Sequence, residues 1–367
     1  PQQSPTFAQP WANNTTMRMK KLLLLIPAAA LLWAACSNDF DVTAPWKEIP
    51  VVYAIISPKD TAYYVRVEKA FLDPEKSAAE IAQIPDSLYY PPSAITVYLE
   101  RKSNGQRYQM TRVDGNLEGY VREAGFFANQ PNWLYKFKPA DATQQLQEGE
   151  TCRLVIVRAD GKPDITAETT LPGTFRFQKP NQQSIPPLIA FGPNSPTTFE
   201  WRCDENGVYF NLDMLIQYRE QTPSGQFLAR KTLRWPVFKN QKRNTSGSGG
   251  AFGFSGSAKI SANQFYQFLT DSIQPASESC GGCYRFFEGI DLVLEGGGKE
   301  IENYLITANA NEGLTGAEVL PSYTNISEGF GIFTGKNQHL LTGCRVSTQT
   351  VDSMATHPTV GLLNFKN

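Results

Sequence analysis

The residues best placed for chemistry are the pair Cys280-Gly281-Gly282-Cys283, whose two-residue spacing is that of a redox-active dithiol. Such a centre needs a thiolate at a helix N-terminus in a βαβ setting, whereas Tyr284-Arg285-Phe286-Phe287 downstream reads as a strand. In an oxidising exported environment the expectation is therefore a local disulfide that stiffens a loop. A zinc site would need two further ligands from Cys203, Cys344, His339 and His357, and the chain has no second closely spaced pair. The sequence thus implies no metal and no cofactor. Cys152 shares strand parity with Leu154 and Ile156 and reads as a buried thiol, which leaves Cys203 and Cys344 as the candidate second bridge.

The remaining chemistry-bearing types are sparse. Both histidines fall in the last 30 residues, and no Gly-x-Ser-x-Gly elbow, His-Glu-x-x-His pair or phosphate-cradling glycine loop opens a helix. The acidic pairs Asp204-Glu205 and Glu300/Glu302 sit where solvated charge is the default. A hydrolase of the glycosidase kind, whose two carboxylates need be close only in space, stays as a remote alternative to a protein with no catalytic residues. Asp204-Glu205-Asn206-Gly207 lacks the ligand spacing of a calcium loop and reads as a hairpin turn. The better functional lead is aromatic. Tyr89 and Tyr90 ahead of two prolines, Phe126-Phe127, and Phe252 and Phe254 around Gly253 lie in or beside loops, where they are candidates for a protein or glycan contact surface. The competing reading folds them back onto the core.

The elements that must carry these residues are strands. Tyr63, Val65, Val67 and Phe71 alternate with Tyr64, Arg66 and Glu68; Ile95, Val97 and Leu99, and Trp133, Tyr135 and Phe137, repeat the period of two. Leu154 to Val157 runs into the turn Asp160-Gly161 and returns through Ile165, Ala167, Thr169 and Leu171. Asp73-Pro74-Glu75 is expected to open a short helix through Ala82. This spacing predicts an immunoglobulin-like β-sandwich over residues 42–175. The prolines at 180, 186, 187 and 193 predict a linker over 176–197, followed by a β-rich domain over 198–367 with one or two short helices. There Val208, Phe210 and Leu212 alternate after Asn206-Gly207, and residues 244–257 read as a glycine- and serine-rich loop. Ser261 with Gln264 forms a capping box ahead of Phe265, Phe268, Leu269 and Ile273 on one helical face. Ile290, Leu292 and Leu294, then Tyr304 and Ile306, are expected as strands around Gly296-Gly297-Gly298.

The N-terminal segment supplies an address. Arg18, Lys20 and Lys21 precede an apolar run, Leu22 to Ala35, that is shorter than the ~20 residues a bilayer requires. Charge, apolar run and the small residues Ala34-Ala35 are the three parts of a secretory signal, read here as residues 17–35 with cleavage between Ala35 and Cys36. Cys36 in that position has the place of a lipobox cysteine, which becomes the acylated N-terminus, although Trp33 stands where such motifs usually carry leucine. Two or more acyl chains give stable membrane anchoring. Residues 1–16, ahead of Met17, carry no charge and are read as an upstream segment outside the native start. Without residues 1–35 the chain keeps 31 of its 34 basic residues against 35 acidic ones. With no basic stripe beyond the signal, nucleic-acid binding lacks its electrostatic footprint.

Several stretches together resemble the domain of unknown function 4249 family of Bacteroidota outer-membrane lipoproteins. They are the acidic tether 36–41 (Cys36-Ser37-Asn38-Asp39-Phe40-Asp41), Val51-Val52-Tyr53-Ala54-Ile55-Ile56 with Tyr64-Val65-Arg66-Val67, Ala167-Glu168-Thr169-Thr170-Leu171-Pro172, and Tyr323 to Phe333 (Tyr323-Thr324-Asn325-Ile326-Ser327-Glu328-Gly329-Phe330-Gly331-Ile332-Phe333). The resemblance covers residues 36–335. It implies a lipid-anchored protein at the outer membrane, exposed at the cell surface, that serves as an accessory partner of a TonB-dependent transporter. It defines no catalytic residues, and the tail from Lys336 to Asn367 departs from it. A structural or adhesive surface protein, binding glycan or itself, is the alternative reading.

Overall fold

The computed structural model describes residues 48–70, 77–310 and 323–366, with the side chains of 308–310 excepted. Residues 1–47, with the cleavage site and Cys36, lie outside the described residues, as do Asp73-Pro74-Glu75. Residues Glu48–Asn367 form one compact unit.

The fold is mainly β. The alternation read over the first half builds β1 (Pro50–Ile56), β2 (Tyr63–Lys69), β3 (Ile95–Arg101), β4 (Gln106–Gln109), β5 (Thr111–Asp114), β6 (Trp133–Phe137), β7 (Thr151–Arg158) and β8 (Ile165–Thr170). They pair as two layers, β5-β6-β2-β1 and β4-β3-β7-β8, in the two-sheet manner of an immunoglobulin-like sandwich. Between them Val52, Ile56, Tyr63, Val65, Val97, Leu99, Cys152, Leu154 and Ile165 are sealed from water. Ahead of β3 stand two short helices, α1 (Ala78–Ala82) and α2 (Pro85–Leu88). The cap of α1 is Ser77, which forms a capping box with Glu80.

The second half adds β9 (Arg176–Lys179), β10 (Leu188–Ile189), β11 (Thr197–Cys203), β12 (Tyr209–Gln221), β13 (Phe227–Lys242), β14 (Phe254–Ile260), α3 (Ala262–Ser272), α4 (Ala276–Ser279), β15 (Tyr284–Gly297), α5 (Lys299–Ala310), β16 (Phe330–Val346), α6 (Thr348–Thr356) and β17 (Phe365–Lys366). β12 keeps its period for 13 residues, with Phe210, Leu212, Met214, Ile216 and Tyr218 all buried. The predicted capping box is present at α3, where Ser261 and Gln264 bond reciprocally, and Phe265, Leu269 and Ile273 turn into the core. Phe191 stacks on Phe265 at 4.0 Å between ring centres, and Trp235 stacks on Phe268 at 5.3 Å; such pairs contribute ~0.5–1.5 kcal/mol each beyond their buried area. Pro236 lies in β13, an edge strand of the sheet, the setting in which proline is tolerated.

Three expectations are corrected. Residues 299–310 are the helix α5 and not strand; Gly296 and Gly297 still belong to β15, and Glu300 and Glu302 occupy the helix's first turn, where its dipole favours acids. The glycine- and serine-rich stretch ends at Phe254, where β14 begins. The proline-dense segment is not a bare tether: β9 pairs with β11, β10 pairs with β16, and Phe177, Ile189 and Phe191 are core residues.

Two large cores are present beside a small cluster of Leu88, Tyr89 and Ala128; the chain passes from one large core to the other between Leu171 and Phe175 and returns to the first at Ile326 and Phe333, and one sheet crosses both in the order β13-β12-β15-β16-β1-β2-β6-β5. The junction is the parallel ladder of β1 on β16, from Val51 opposite Phe330 to Ile56 opposite Gly335. The quoted stretches at 51–56, 64–67, 167–172 and 323–333 meet there. Asn325 receives Phe333 N–H on Oδ1 at 2.9 Å and donates from Nδ2 to the Phe333 carbonyl at 2.7 Å, while Ser327 N–H reaches the Thr166 carbonyl of β8 at 2.8 Å. Gly331, at φ +112°, passes so close to β1 that a Cβ would lie 1.9 Å from the Val52 carbonyl oxygen.

Candidate functional site

Two places combine exposure with organised side chains. The first is the loop from Gly115 to Pro131, which joins β5 to β6. Its backbone is pinned by polar side chains. Asp114 accepts from the N–H groups of Asn116 and Asn132, Asn116 donates to the Asn129 carbonyl and accepts from Arg122 N–H, and Asn132 donates to the Tyr120 carbonyl at 2.7 Å. Arg122 continues outward to Glu68 at 2.8 Å and to the Tyr89 hydroxyl at 2.9 Å, and lies over the Phe127 ring. Because hydrogen bonds hold the loop, its apolar residues are not required inside. Leu117 is 87% exposed, Val121 71%, Phe126 55% and Tyr120 52%. Tyr120 packs on Tyr64 at 4.6 Å, and with Tyr53, Ile55 and Arg66 these rings line a cleft of about 240 Å³ on the outer face of β1 and β2. Ordered aromatic faces beside a cation and a carboxylate, here Arg66 and Asp60, suit a sugar ring or an apolar peptide side chain.

The structure sorts the six predicted aromatics. Phe126 and Phe127 are exposed and pack edge to face at 5.1 Å. Tyr89 and Tyr90 are buried, a correction: α2 turns them inward, where Tyr89 packs with Leu88 and Ala128 and Tyr90 joins the sandwich core. Phe252 and Phe254 are also half-buried rather than free, since Arg176 lies 4.6 Å over the first ring and Arg243 3.8 Å over the second. Sequence reasoning missed Leu117, Tyr120 and Val121. The available signal was the run of turn-capping side chains at Asp114, Asn116 and Asn132, which frees a loop from the need for an apolar anchor.

The second place is the Cys280–Cys283 disulfide, which the structure forms as expected, with Cα atoms 5.4 Å apart. Cys283 is fully buried and Cys280 is partly exposed. Next to them Arg285 projects from β15 with no exposed surface at all. Its Nε donates to Glu220 at 2.9 Å, Nη1 to the Leu363 and Gln274 carbonyls, and Nη2 to Ser279 Oγ at 2.7 Å, with Cys280 Sγ 3.7 Å away. Lys231 of β13 reaches the other oxygen of Glu220 at 3.0 Å. Burial pushes the Glu220 carboxyl up, but the bonds from Arg285 and Lys231 outweigh it and hold the group below the usual carboxylate range. A cleft of about 710 Å³, lined by Tyr218, Lys231, Asp271, Gln274 and Ser279, opens onto Arg285.

Cys203 and Cys344 do not pair, correcting the second-bridge expectation. Each is enclosed in the larger core with a partner in its own chain segment: Cys203 Sγ faces the Gly207 carbonyl across its turn, and Cys344 faces the Leu341 carbonyl. Cys152 is buried as expected, and burial pushes its thiol and that of Cys203 up to about 12. Of the residues weighed as zinc ligands beside Cys280 and Cys283, none joins them; among the described residues only Glu220 brings a ligand atom within 4.8 Å of both sulfurs. His339 packs on Phe177 and His357 on Tyr266. Asp204 caps its own turn through Asn206 and Gly207, Glu300 accepts from Thr169 and Thr334, and Glu302 pairs with Lys242.

The chain matches no protein-family model, and no curated protein is significantly similar to it. Among solved structures, the C-terminal globular domain of an oligosaccharyltransferase from Pyrococcus abyssi aligns at 9% identity and a TM-score of 0.22, covering 68% of this chain and less than half, 43%, of that one. CBD12 from CALX1.2 aligns at 10% identity and a TM-score of 0.17, covering 81% of this chain and 99% of that one. Scores this low carry no inference to either protein's activity.

Proposed function

We propose that this chain is a non-catalytic binding protein, anchored through acylated Cys36 at the outer-membrane surface, where it acts as an accessory partner of a TonB-dependent transporter. The carrying observation is the 115–131 loop. Its backbone is fixed by Asp114, Asn116 and Asn132, while Leu117, Tyr120, Val121 and Phe126 face solvent. Rigid presentation of apolar groups lowers the ordering cost of binding, and such a cluster on a loop of an otherwise well-buried sandwich is the signature of a contact surface. The sequence around residues 17–41 supports the anchor, and the resemblance over 36–335 supports the transporter as partner.

The test is recovery from outer membranes with tagged, acylated protein, beside a Cys36→Ala control and a Leu117→Ser/Phe126→Ser double variant. Stoichiometric recovery of a large β-barrel protein, lost in the double variant while anchoring persists, is the expected result. Recovery of the protein alone from detergent-solubilised membranes overturns the transporter role, and self-assembly of the purified chain in its place moves the reading to a structural or adhesive surface protein.

A further inference from the structure

We infer that Cys280–Cys283 is a reactive disulfide, which exchanges with an incoming dithiol and holds Cys280 as a thiolate beside Arg285. Three observations place it apart from a loop staple. Cys280 is partly exposed while Cys283 is fully buried, so an incoming thiolate meets the Cys280 sulfur first. Arg285 Nη2 lies 3.7 Å from Cys280 Sγ, which stabilises negative charge on that sulfur, and Ser279 Oγ, whose proton points to the Pro275 carbonyl at 3.0 Å, lies 3.8 Å from Sγ and can turn to a thiolate there. Glu220, whose carboxylate comes within 4.8 Å of both sulfurs, opposes the thiolate, but it is shared by Arg285 and Lys231, so the three side chains together keep one net positive charge. The Ala276 carbonyl, 3.4 Å from Sγ, opposes the thiolate as a single neutral dipole. Asp271 on the cleft wall and Glu278, two residues before Cys280, are the other acidic groups on the adjoining helices. The cleft lined by Ser279 and Arg285 adjoins this segment without including either cysteine in its wall, so an incoming dithiol reaches Cys280 from its exposed side.

The exchange balances without a further reactant. The first thiolate of the dithiol bonds to Cys280 Sγ as the Cys280–Cys283 bond breaks, and the electron pair leaves on Cys283, which takes up a proton. The second thiol loses its proton to water and displaces Cys280, whose electron pair stays on its sulfur beside Arg285. The dithiol ends as a disulfide, oxidised by two electrons, and the protein ends as the reduced pair.

The experiment uses the full chain, dithiothreitol as the dithiol, and iodoacetamide trapping read by peptide mass. Expected is equilibration of the folded protein with dithiothreitol without denaturant. After reduction, Cys280 should alkylate with an inflexion about one pH unit or more below the ~8.5 of a free cysteine. Lys231→Gln, which lets Glu220 neutralise Arg285 alone, should move that inflexion up and slow alkylation at pH 7 at least threefold. Ser279→Ala should act in the same direction. A disulfide that yields only after unfolding, or an inflexion at 8.5 or above, or one indifferent to Lys231→Gln in a folded variant, overturns the inference. A staple with no exchange chemistry would leave the inflexion unmoved in both variants.

Discussion

Glu220→Gln isolates the charge at the centre of the disulfide cluster with little change of shape. In the native protein Glu220 takes Arg285 Nε at 2.9 Å and Lys231 Nζ at 3.0 Å, and Arg285 has no water-exposed surface. Removing one partner of such a buried pair costs ~3–5 kcal/mol when the remaining charge is left uncompensated. Glutamine keeps an acceptor for Nε, and the Gln274 and Leu363 carbonyls and Ser279 Oγ still receive Arg285, so a cost below that range applies, ~2–3 kcal/mol. That is roughly 30- to 150-fold in the folding equilibrium. Acidity supplies the internal control. Because the folded carboxyl is held below its ordinary value of 4.5, its ionised form contributes stability that is fully present above that value and lost as the pH falls through the folded value. Urea unfolding of both proteins should therefore show the full gap at pH 7 and a narrowing gap below pH 4.5. A gap under ~0.5 kcal/mol at pH 7, typical of an exposed pair, would refute the electrostatic account, as would a gap that is the same at pH 7 and pH 3.

Other expectations follow from the same geometry. Gly331→Ala combines a φ that side chains avoid with a Cβ 1.9 Å from the Val52 oxygen; ~3 kcal/mol or more of lost stability is expected, with probes in both cores unfolding earlier, and a change confined to one core would contradict the shared sheet. With Cys36 acylated and Cys280 and Cys283 oxidised, the folded chain should give no fast reaction with an aromatic disulfide reagent, since Cys152, Cys203 and Cys344 are all enclosed; one fast thiol would show that a core opens. Leu117→Ser and Phe126→Ser should each change stability by no more than ~0.5 kcal/mol in thermal unfolding, because neither side chain is buried, and a larger loss would mean that the loop packs as core.

What the sequence made legible was what strand periodicity carries. Tyr63, Val65 and Val67, or Phe210, Leu212 and Leu154, sit on inward faces because a period of two leaves no other arrangement, and Ser261 with Gln264 marks a helix start through purely local bonds. Failures arose where the deciding contact is distant. Residues 299–310 are helical although Tyr304 and Ile306 fit a strand's alternation, and both side chains remain largely exposed. Tyr89 and Tyr90 look like loop aromatics in sequence, yet Tyr89 accepts a bond from Arg122, 33 residues away. The Cys203 and Cys344 pairing rested on cysteine arithmetic, which carries no distance, and each thiol instead finds apolar surroundings.

The same distinction explains why the disulfide looked ordinary in sequence. Cys280-Gly281-Gly282-Cys283 lacks the following helix that supplies positive potential in a βαβ redox centre; it caps the one-turn helix α4 and runs into β15. The potential comes from three strands: Arg285 on β15 itself, Lys231 on β13, and Glu220 on β12, which fixes both cations while cancelling only one. No local motif encodes that arrangement, because Glu220 lies 65 positions from Arg285 and meets it only through the β12–β15 register, in which Glu220 is directly opposite Arg285. A one-residue slip of either strand would turn that strand's side chains to the other face of the sheet, so Glu220 and Arg285 would lie on opposite faces and the buried pair would be lost. The chemistry at Cys280 is therefore a consequence of the long hairpin-like sheet, and a test of the thiolate is also a test of that register.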